Sequence, residues 1–422
     1  MPDSYCFHYE FFPVGQGLFA AGSLHRTLQH QAMLRWVYDC GTISEKQFLN
    51  NALDRFAALT AERPYLDLVT LSHFDNDHIS GVVQLLGRHR VDMLLLPYMP
   101  LWERLAIAFE EATSPDDDLM AFYINPVEYL TGLPEGNIRR IVFVPPSGEE
   151  GPPEPAGEPP EGSNTPSDEP LHIDEGKPDD SADAGDLVFA GRRTNTRVAF
   201  LRSGGGIRKL GWWEFVPYND DKPAVFDSKF LQEAAAFRDL LLAGASTAER
   251  KKRLQDLKEH YEAVRRPGEE RNDISLFLYS GPIYGTWQRT ALLCSWDFRL
   301  RNWFGYRRGR SYVYDTTRCS ILYPGDGFLD TPERLHRLCG YLRAYRVNRI
   351  GVMQVMHHGA KRNWHGGVAA AFSPRISVFS SDPKRKPHLH PHKPVRKDFR
   401  HYGPIQVNQH RALRVLGRLL HN

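Results

Sequence analysis

The chain has 422 residues, and its 41% hydrophobic and 12% aromatic content suffices to bury the core of one elaborated domain or of two ordinary ones. The formal net charge is only +2, but residues 145–186 carry −12 and the remaining chain +14, so the remaining chain is basic and favours an anionic partner. No apolar run approaches the about 18 residues of a membrane helix, the five cysteines lack CxxC spacing, and the N-terminus has no basic signal region. These features predict a cytoplasmic protein and argue against a membrane span, a disulfide framework and a cysteine-ligated zinc site.

Residues 1–144 alternate between strand and helix patterns, and we assign them to the N-terminal half of one domain. Apolar and β-branched runs predict strands within 5–22 and over 34–39, 66–72 and 91–96. Apolar residues at helical spacing predict helices over 44–61, 79–86 and 101–132.

Residues 145–186 differ sharply in composition, with thirteen acids against one base, ten prolines and no Phe, Tyr or Trp. Such a segment cannot bury enough apolar surface to offset its ordering entropy, so we predict a disordered acidic linker. Residues 187–270 are predicted as an inserted, partly helical section. Its elements are strands over 197–201 and 212–216 and helices over 227–265, broken at 244–246.

Residues 271–422 are assigned to the C-terminal half of the same domain and end in a basic segment. Strands are predicted over 275–279, 291–296, 319–323, 349–355 and 376–379, followed by an amphipathic helix over 410–420. The whole order predicts an α/β (α+β) fold, an αββα sandwich with an inserted helical section and a disordered acidic linker.

The densest chemical motif follows the apolar strand that ends near residue 72. Two imidazoles and two carboxylates, His73, Asp75, Asp77 and His78, lie within six residues. A strand-to-helix turn can aim His73 and Asp75 into one site while Asp77 and His78 turn towards a second. Mixed nitrogen and oxygen ligands suit zinc, manganese or iron. The alternative is a solvated polar loop whose side chains cap the next helix.

Two further strands end in residues that a binuclear metal site would use. An apolar strand leads into Gly325-Asp326, and another leads into His357-His358-Gly359. Alone, either signal is weak, because Gly-Asp turns are common and His357 could be a core histidine. Together with the first motif they form a set of ligands at strand ends, for which we predict two divalent ions, Zn²⁺ or Mn²⁺.

In sequence order, these motifs resemble the metallo-β-lactamase fold, specifically the branch found in DNA-uptake competence proteins of ComEC type. The matching motifs are FPVGQG (12–17), VYDCG (37–41), SHFDNDHISG (72–81), NDISL (272–276), LYPGDG (322–327), VMHHGA (355–360) and HPH (390–392). The resemblance covers roughly residues 5–100 and 272–400. It implies a four-layered αββα sandwich with a metal site at one edge.

Position by position, the resemblance implies a metal-ligand set, with Asp326 bridging two ions and Asp39 orienting a ligand histidine. The implied ligands are His73, Asp75, Asp77, His78, Asp326 and one of His357 or His358. Asp77, His78 and Asp326 are the implied catalytic residues. The family pattern has a further histidine between the first motif and Asp326, and this sequence shows no clear counterpart. The histidines in that interval are His89, His172 and His260, and none of them follows an apolar strand. His388, His390, His392, or substrate oxygen and water, remain the alternatives for that position.

Two basic stretches bear on the substrate. Residues 299–310 hold five arginines and three aromatics without an acid, a combination typical of grooves that bind single-stranded nucleic acid. Residues 384–422 hold ten Lys and Arg against one acid. From these stretches we predict substrate binding by Arg307, Arg308, Arg310, His390 and His392. A plain solvated surface is the alternative for both stretches.

The first hypothesis is therefore a metal-dependent phosphodiesterase that uses a metal-activated water, a nuclease acting on DNA or RNA, with a role in bacterial defence or nucleic-acid processing. The second is a hydrolase of a small phosphodiester or ester, such as a cyclic nucleotide. The third is a non-catalytic subunit that binds a protein partner through the inserted section.

Overall fold

The computed structural model describes most of the chain. The described residues are 4–26, 32–111, 113, 117–134, 137–155, 170–176, 196–209, 211–220, 227–264, 275–283, 287–300, 306–307, 311–314, 317–385 and 389–421. For residues 118, 287–300, 306–307, 311–314 and 420–421, the description covers the backbone alone.

The strands are numbered in chain order over these described residues. They are β1 Ser4–Phe11, β2 Phe19–Arg26, β3 Ala32–Cys40, β4 Tyr65–Thr70, β5 Arg90–Pro97, β6 Ile138–Val144, β7 His172–Ile173, β8 Glu175–Gly176, β9 Arg197–Leu201, β10 Ile207–Lys209, β11 Trp213–Asn219, β12 Leu276–Pro282, β13 Trp287–Leu300, β14 Tyr306–Arg307, β15 Ser311–Tyr314, β16 Ser320–Tyr323, β17 Ile350–Gln354, β18 Ile376–Ser380, β19 Pro404–Val407 and β20 Arg411–His421.

The helices of the described residues are numbered in the same way. They are α1 Lys46–Leu59, α2 Asn76–Ile79, α3 Val82–Leu86, α4 Leu101–Glu110, α5 Asp118–Ile124, α6 Pro126–Thr131, α7 Ser228–Leu242, α8 Thr247–Val264, α9 Pro332–Val347, α10 Val368–Phe372 and α11 Lys393–Asp398. None of the described helices is long and apolar enough to cross a membrane.

Two large sheets organise the described part of the chain. The first sheet has 12 strands in the order β14-β13-β20-β1-β2-β3-β4-β5-β6-β9-β8, with β15 also paired to β13. The second has 8 strands in the order β19-β18-β17-β16-β12-β11-β10-β7. Strands β3, β4, β5, β6 and β9 run parallel, as do β16 to β19, so each sheet has a set of carboxyl ends at one edge.

The apolar residues form three cores, which separate four layers of helices and sheets. Trp36 and Leu68 of the first sheet meet Trp213 and Ile321 of the second in a core between the sheets. A second core lies on the outer face of the first sheet, where α1 and α4 to α8 pack. A third lies on the outer face of the second sheet under α9, α10 and α11. The predicted αββα sandwich is therefore confirmed as an arrangement of layers.

Strands β9, β10 and β11, which the sequence analysis placed in the inserted section, are integral to the two sheets. Strand β9 pairs with β6 in the first sheet, and β11 pairs with β12 in the second. Of the described elements of residues 187–270, only helices α7 and α8 lie outside the sheets, where they pack against α4.

The prediction of disorder for residues 145–186 was too broad. Strands β7 and β8 lie within this stretch and add an edge strand to each sheet. Residues 150–154 are held by α9, since Arg346 donates to the carbonyl oxygens of Pro152 and Pro153. Backbone pairing and these cationic donors supply the fixed contacts that composition alone does not reveal. Residues 156–169 and 177–195 lie outside the described residues.

The predicted C-terminal helix over 410–420 is wrong, because these residues form β20 between β1 and β13. Leu413, Val415 and Leu419 alternate into the core between the sheets, which is the two-residue period of a strand. Gly417 sits under the Phe7 ring, where a Cβ atom would come within 1.9 Å of a ring carbon. The neighbouring strands therefore override the helical reading of this apolar pattern.

Candidate metal centre

Three loops meet where parallel strands of the two sheets end. Residues 71–78 follow β4, residues 324–327 follow β16, and residues 355–359 follow β17. Backbone hydrogen bonds join them, such as the one that His357 N donates to Gly325 O at 2.9 Å. All seven residues named above as metal ligands lie on these loops: His73, Asp75, Asp77, His78, Asp326, His357 and His358.

Asp39, near the end of β3, is completely buried beneath the first loop. Its Oδ1 accepts the Ser72 backbone N–H, and its Oδ2 accepts the Ser72 hydroxyl, both at 2.7 Å. His78 Nδ1 lies 2.7 Å from the same Oδ2. Because a carboxylate can only accept, the proton of this contact is on Nδ1. Asp39 therefore orients the His78 ring and turns Nε2 towards the centre.

Hydrogen bonds to Nδ1 also fix the ring orientation and the proton position of two other buried histidines, His73 and His358. The Ser72 hydroxyl donates to Asp39, so His73 Nδ1, at 2.8 Å from that oxygen, is the donor to it. His358 Nδ1 donates to the carbonyl oxygen of Ser380. In His73, His78 and His358 alike, Nδ1 carries a proton and Nε2 is the nitrogen that faces the centre.

The side chains that face the centre form two groups. In the first, Asp77, His78, Asp326 and His358 each offer an atom within 4.8 Å of the others. In the second, His73, Asp75 and Asp77 do the same. Asp77 belongs to both groups, and its Oδ2 lies 2.9 Å from His358 Nε2. Both groups contain the mixed nitrogen and oxygen ligands that suit Zn²⁺ or Mn²⁺.

The carboxylate of Asp326 lies between the two groups. Its Oδ1 is 3.1 Å from His78 Nε2 in the first group. Its Oδ2 is 4.0 Å from His73 Nε2 in the second group and 3.5 Å from His357 Nδ1. One oxygen therefore faces each group. His357 lies on the side of the second group, while His358 lies in the first.

The loop that presents Asp326 is held by side chains from three other elements. The Gln354 side chain accepts from Gly325 N at 2.9 Å and donates to Gly325 O at 3.1 Å, which fixes a glycine with φ 58°. Asp326 N donates to Ser275 Oγ at 3.1 Å, and Asn363 donates to Asp326 O at 2.7 Å. Its carboxylate is thereby left to face the centre.

The third loop has three consecutive residues in the left-handed region. The φ angles are 43° at His357, 57° at His358 and 86° at Gly359. For residues with a Cβ, this region costs about 1–2 kcal/mol each. Asp39 is also left-handed, with φ 56°. Such strain persists only where the surroundings determine the conformation, and it is common at functional sites.

The electrostatics of the centre are those of a site rich in negative charge. Although burial lowers the pKa of His78, the carboxylates of Asp326, Asp39 and Asp77 raise it well above its usual range. Burial and the neighbouring Asp77 raise the pKa of Asp75 to about 7, and burial and Asp75 raise that of Glu111 to about 7. A divalent cation would replace these protons, because it neutralises the same carboxylates.

The polar atoms facing the centre fit such a cation. The buried His73 Nε2, His78 Nε2, Asp326 Oδ1 and His357 Nδ1 have no hydrogen-bond partner among the described residues. Leaving several buried polar atoms without partners is costly, and here they converge on one place. Cations held by the two groups would satisfy these atoms.

The remaining predicted residues lie in three different situations. His390 is buried beside the His358 ring, at 6.2 Å between centroids, and its Nδ1 lies 3.4 Å from Gln16 Nε2. His392 Nδ1 accepts the Lys361 N–H at 3.0 Å. The backbone of Arg307 lies in β14, and nothing is described of its side chain. The predicted residues Arg308, Arg310 and His388 lie outside the described residues.

Several residues that position the ligands were not singled out from the sequence. Glu111 accepts from the Asn76 side chain at 2.8 Å and so holds the turn between Asp75 and Asp77. Ser72, described above, connects Asp39 with two ligand histidines. Their signal was weak, because Ser72 reads as part of the strand and Glu111 is 34 residues beyond Asp77.

The motif FPVGQG also receives a structural explanation. Leu18 N donates to Asp77 O at 3.2 Å, and the Ser380 hydroxyl donates to Gly17 O at 2.7 Å. A Cβ on Gly17, whose φ is 148°, would come within 2.8 Å of Asp77 O. The glycine thus permits the close approach that packs this loop against the metal-ligand loop.

No protein-family model and no curated protein matches this chain. Among solved structures, the chain is similar to a long form RNase Z from yeast, with 9% sequence identity and a TM-score of 0.29. The match covers 82% of this chain and 32% of the yeast chain, so this chain spans about a third of that protein's length. At this identity and TM-score the likeness supports neither a fold nor an activity.

Proposed function

We propose that this chain is a metal-dependent hydrolase of the metallo-β-lactamase fold that cleaves phosphodiester bonds in DNA or RNA. The observation that carries the proposal is the pair of ligand groups that share Asp77 and lie on either side of Asp326, with buried nitrogen and oxygen atoms turned inwards. The sequence motifs add support, since they resemble the ComEC-type branch of that fold in order and spacing.

In this proposal each group holds one divalent ion, Zn²⁺ or Mn²⁺. Asp77, His78, Asp326 and His358 would hold the first ion, and His73, Asp75 and Asp77 would hold the second. Asp326 Oδ2 and His357 lie beside the second group and could complete it. Two such ions, when bound, supply a water of lowered pKa and neutralise charge on phosphoryl oxygens. Asp39 keeps His78 in the orientation and tautomer that a ligand needs.

Exposure indicates the side from which a substrate reaches the centre. The side chains of His73, His78 and His358 are at most 2% exposed and form the floor. The side chain of Asp75 is 30% exposed and that of His357 is 21% exposed, so they lie at the mouth. A substrate phosphate would therefore approach between Asp75 and His357.

Positive charge at this mouth supports a substrate that carries phosphate. Lys361 and Arg362 are exposed and follow the His357–Gly359 turn directly. Asp75 and Glu110 act electrostatically on Arg362, whose guanidinium lies 5.6 Å from the Phe328 ring centroid. Guanidinium groups match phosphate oxygens with paired donors. The +14 charge outside residues 145–186 extends this preference towards a polyanion such as DNA or RNA.

The cellular setting belongs to the same proposal. We place the activity in a reducing cytoplasm, where the free thiols of Cys6, Cys40, Cys319 and Cys339 would persist. The proposed role is bacterial defence against foreign DNA or nucleic-acid processing. Helices α7 and α8, which lie outside both sheets, are the surface through which a protein partner would bind.

Incubation of the purified chain with Mn²⁺ or Zn²⁺ and a panel of substrates tests the proposal. The panel contains single-stranded DNA, double-stranded DNA, RNA and cyclic nucleotides. We expect metal-dependent cleavage of a nucleic acid, a loss of about 100-fold or more in Asp326→Asn and His358→Asn, and no change in Asp54→Asn, whose side chain is 49% exposed. Bound metal is counted separately by elemental analysis.

The outcomes separate the candidate functions. Cleavage of cyclic nucleotides alone would support the small-substrate alternative. A protein that binds two ions yet cleaves no substrate in the panel would contradict the enzymatic proposal and favour a partner-binding subunit. A protein that binds no ion would overturn the metal centre itself.

A further inference from the structure

A cavity that contains charged side chains within a mainly apolar lining lies away from the metal centre, on the outer face of the first sheet beneath helix α1. Its volume is about 190 Å³, several times the about 30 Å³ that one water occupies in the liquid. Its floor crosses four neighbouring strands, β20, β1, β2 and β3, and carries Arg414, His8, Glu10, His25 and Arg35. Phe56 from α1 forms part of the roof. Polar residues are unusual on a sheet face that is otherwise packed against a helix.

Arg35 brings a positive charge to this cavity, and Asp67 and Glu62 act on it electrostatically without forming an ion pair with it. Arg35 is 6% exposed, and its guanidinium donates one hydrogen bond, to the carbonyl oxygen of Arg63. Asp67, the acid beside it, accepts the Arg35 backbone N–H instead. No carboxylate of the described residues forms an ion pair with this guanidinium. A buried guanidinium without a counter-ion is costly, so proteins normally supply one.

Glu10 does not neutralise the cavity, because it is already shared by two arginines. Arg55 lies 3.0 Å from its Oε1, and Arg414 lies 3.0 Å from its Oε2. Arg414 Nε is buried without a hydrogen-bond partner among the described residues. Glu10, Arg55 and Arg414 together carry a net charge of +1, and Arg35 adds one more positive charge.

The two histidines of the cavity respond to this positive surface. The rings of His8 and His25 lie 4.9 Å apart between centroids. Burial, His25 and Arg414 together lower the pKa of His8 to about 3. Burial and the neighbouring Arg63 also lower the pKa of Arg35. Burial is the larger cause of both shifts and neighbouring cations add to it, while Asp67 and Glu62 oppose the shift of Arg35 without cancelling it.

We propose that this cavity is a binding site for a compact oxyanion, either inorganic phosphate or the phosphate of a phosphomonoester. Arg35 and Arg414 would be its principal ligands, with His8 and His25 at its edge. A tetrahedral oxyanion would offset the net positive charge of these side chains and offer acceptors for the guanidinium donors. The site is separate from the metal centre and does not depend on the proposed hydrolase activity.

Isothermal titration of the full chain with inorganic phosphate tests the site. Chloride keeps the ionic strength constant during each titration. The protein is titrated once loaded with metal and once with a chelator present, which removes phosphate binding at the metal centre. We expect saturable binding in both states and affinities at least about tenfold weaker in Arg35→Met and Arg414→Met. The control is Arg88→Met, whose arginine pairs with Asp54 outside the cavity, and it should bind as the unaltered protein does.

A nucleoside monophosphate is titrated in parallel, and the tighter ligand identifies the source of the phosphate. Arg35 is buried in β3, and its replacement carries a risk of misfolding, so Arg414→Met, whose side chain is 29% exposed, provides the second variant. The absence of saturable phosphate binding in the unaltered, chelator-treated protein overturns the proposal. So does equal affinity in Arg414→Met and Arg88→Met.

Discussion

The proton positions on three buried histidines decide what the centre can bind. Hydrogen bonds to Asp39, Ser72 and Ser380 occupy each Nδ1, and Nε2 is left to face the carboxylates. The ligand residues could be predicted from the sequence, because alternating polar residues after an apolar strand are a local pattern. The roles of Ser72, Gln354 and Glu111 could not, because each depends on contacts between distant segments.

Asp39→Asn tests the orienting hydrogen bond of His78. Asn has the same shape and tolerates the left-handed conformation, but it presents an amide that no longer attracts the Nδ1 proton as a carboxylate does. We expect metal affinity to fall by about 10–100-fold with the fold retained. A chelator competition titration measures the affinity, and circular dichroism checks the fold. Unchanged affinity would show that Asp39 does not act through His78.

The raised pKa values predict how the metal-free protein responds to pH. Above pH about 6.5 the unfolded chain has already released the protons of its carboxyls and most of those of its histidines. In the folded protein Asp75 and Glu111, each with a pKa of about 7, still hold protons there and release them as the pH rises. These two groups should therefore lower the stability between pH 6.5 and 8, by on the order of 1 kcal/mol, while the lowered pKa values of His8 and His73 act in the opposite direction.

Thermal melts in the presence of a chelator measure this fall. Glu111→Gln should make it smaller, because the substitution removes one of the two groups and relieves Asp75. Glu262→Gln, on the exposed surface of α8, is the matched control and should leave the fall unchanged. The same pH dependence of the melting temperature in Glu111→Gln and Glu262→Gln would refute the assignment.

At the scale of elements, strand ends were predictable and turn conformations were not. The apolar runs before His73, Asp326 and His357 placed the ligands at the carboxyl edge of both sheets. The left-handed turn that sends His357 and His358 towards different ligand groups has no signal in the sequence beyond Gly359. The segment 410–420 was misread because its apolar spacing suits a helix as well as a strand, and only pairing with β1 and β13 decides between them.

Gly359→Ala tests whether this turn positions the histidines. An added Cβ would lie 2.5 Å from the Pro391 Cβ at a φ of 86°, so we expect a loss of roughly 1–3 kcal/mol in unfolding free energy and weaker metal binding. Gly340→Ala in α9 is the control, since nothing lies within 4 Å of its added Cβ. It should be neutral or stabilising by up to about 1 kcal/mol. Equal effects of the two substitutions would contradict the role of the turn.

At the scale of the whole molecule, the metal centre joins the two sheets. Asp77 and His78 follow β4 of the first sheet, whereas Asp326 and His358 follow strands of the second. Bound ions would therefore act as cross-links between the sheets and also offset the negative charge of the ligand carboxylates.

Metal removal should consequently lower the melting temperature of the entire chain. An ion present at 100 times its dissociation constant stabilises the folded state by about 2.7 kcal/mol. Calorimetry before and after dialysis against a chelator measures the change, and Mn²⁺ or Zn²⁺ should restore it. Asp326→Asn should show little difference between the two states. Identical melting with and without metal in the unaltered protein would argue against ions between the sheets.

Strand β20, which pairs with β1 on one side and β13 on the other, sets a condition on how the chain folds. The register joins Ser4 to Leu420, so the two strands come from residues more than four hundred positions apart. During synthesis, β1 must wait for β20 to leave the ribosome, with one edge unpaired until then. Removing β20 would separate β13 from the first sheet and expose that edge permanently. Among the described strands, β20 is thus the one that joins β13, β14 and β15 to the rest of the first sheet.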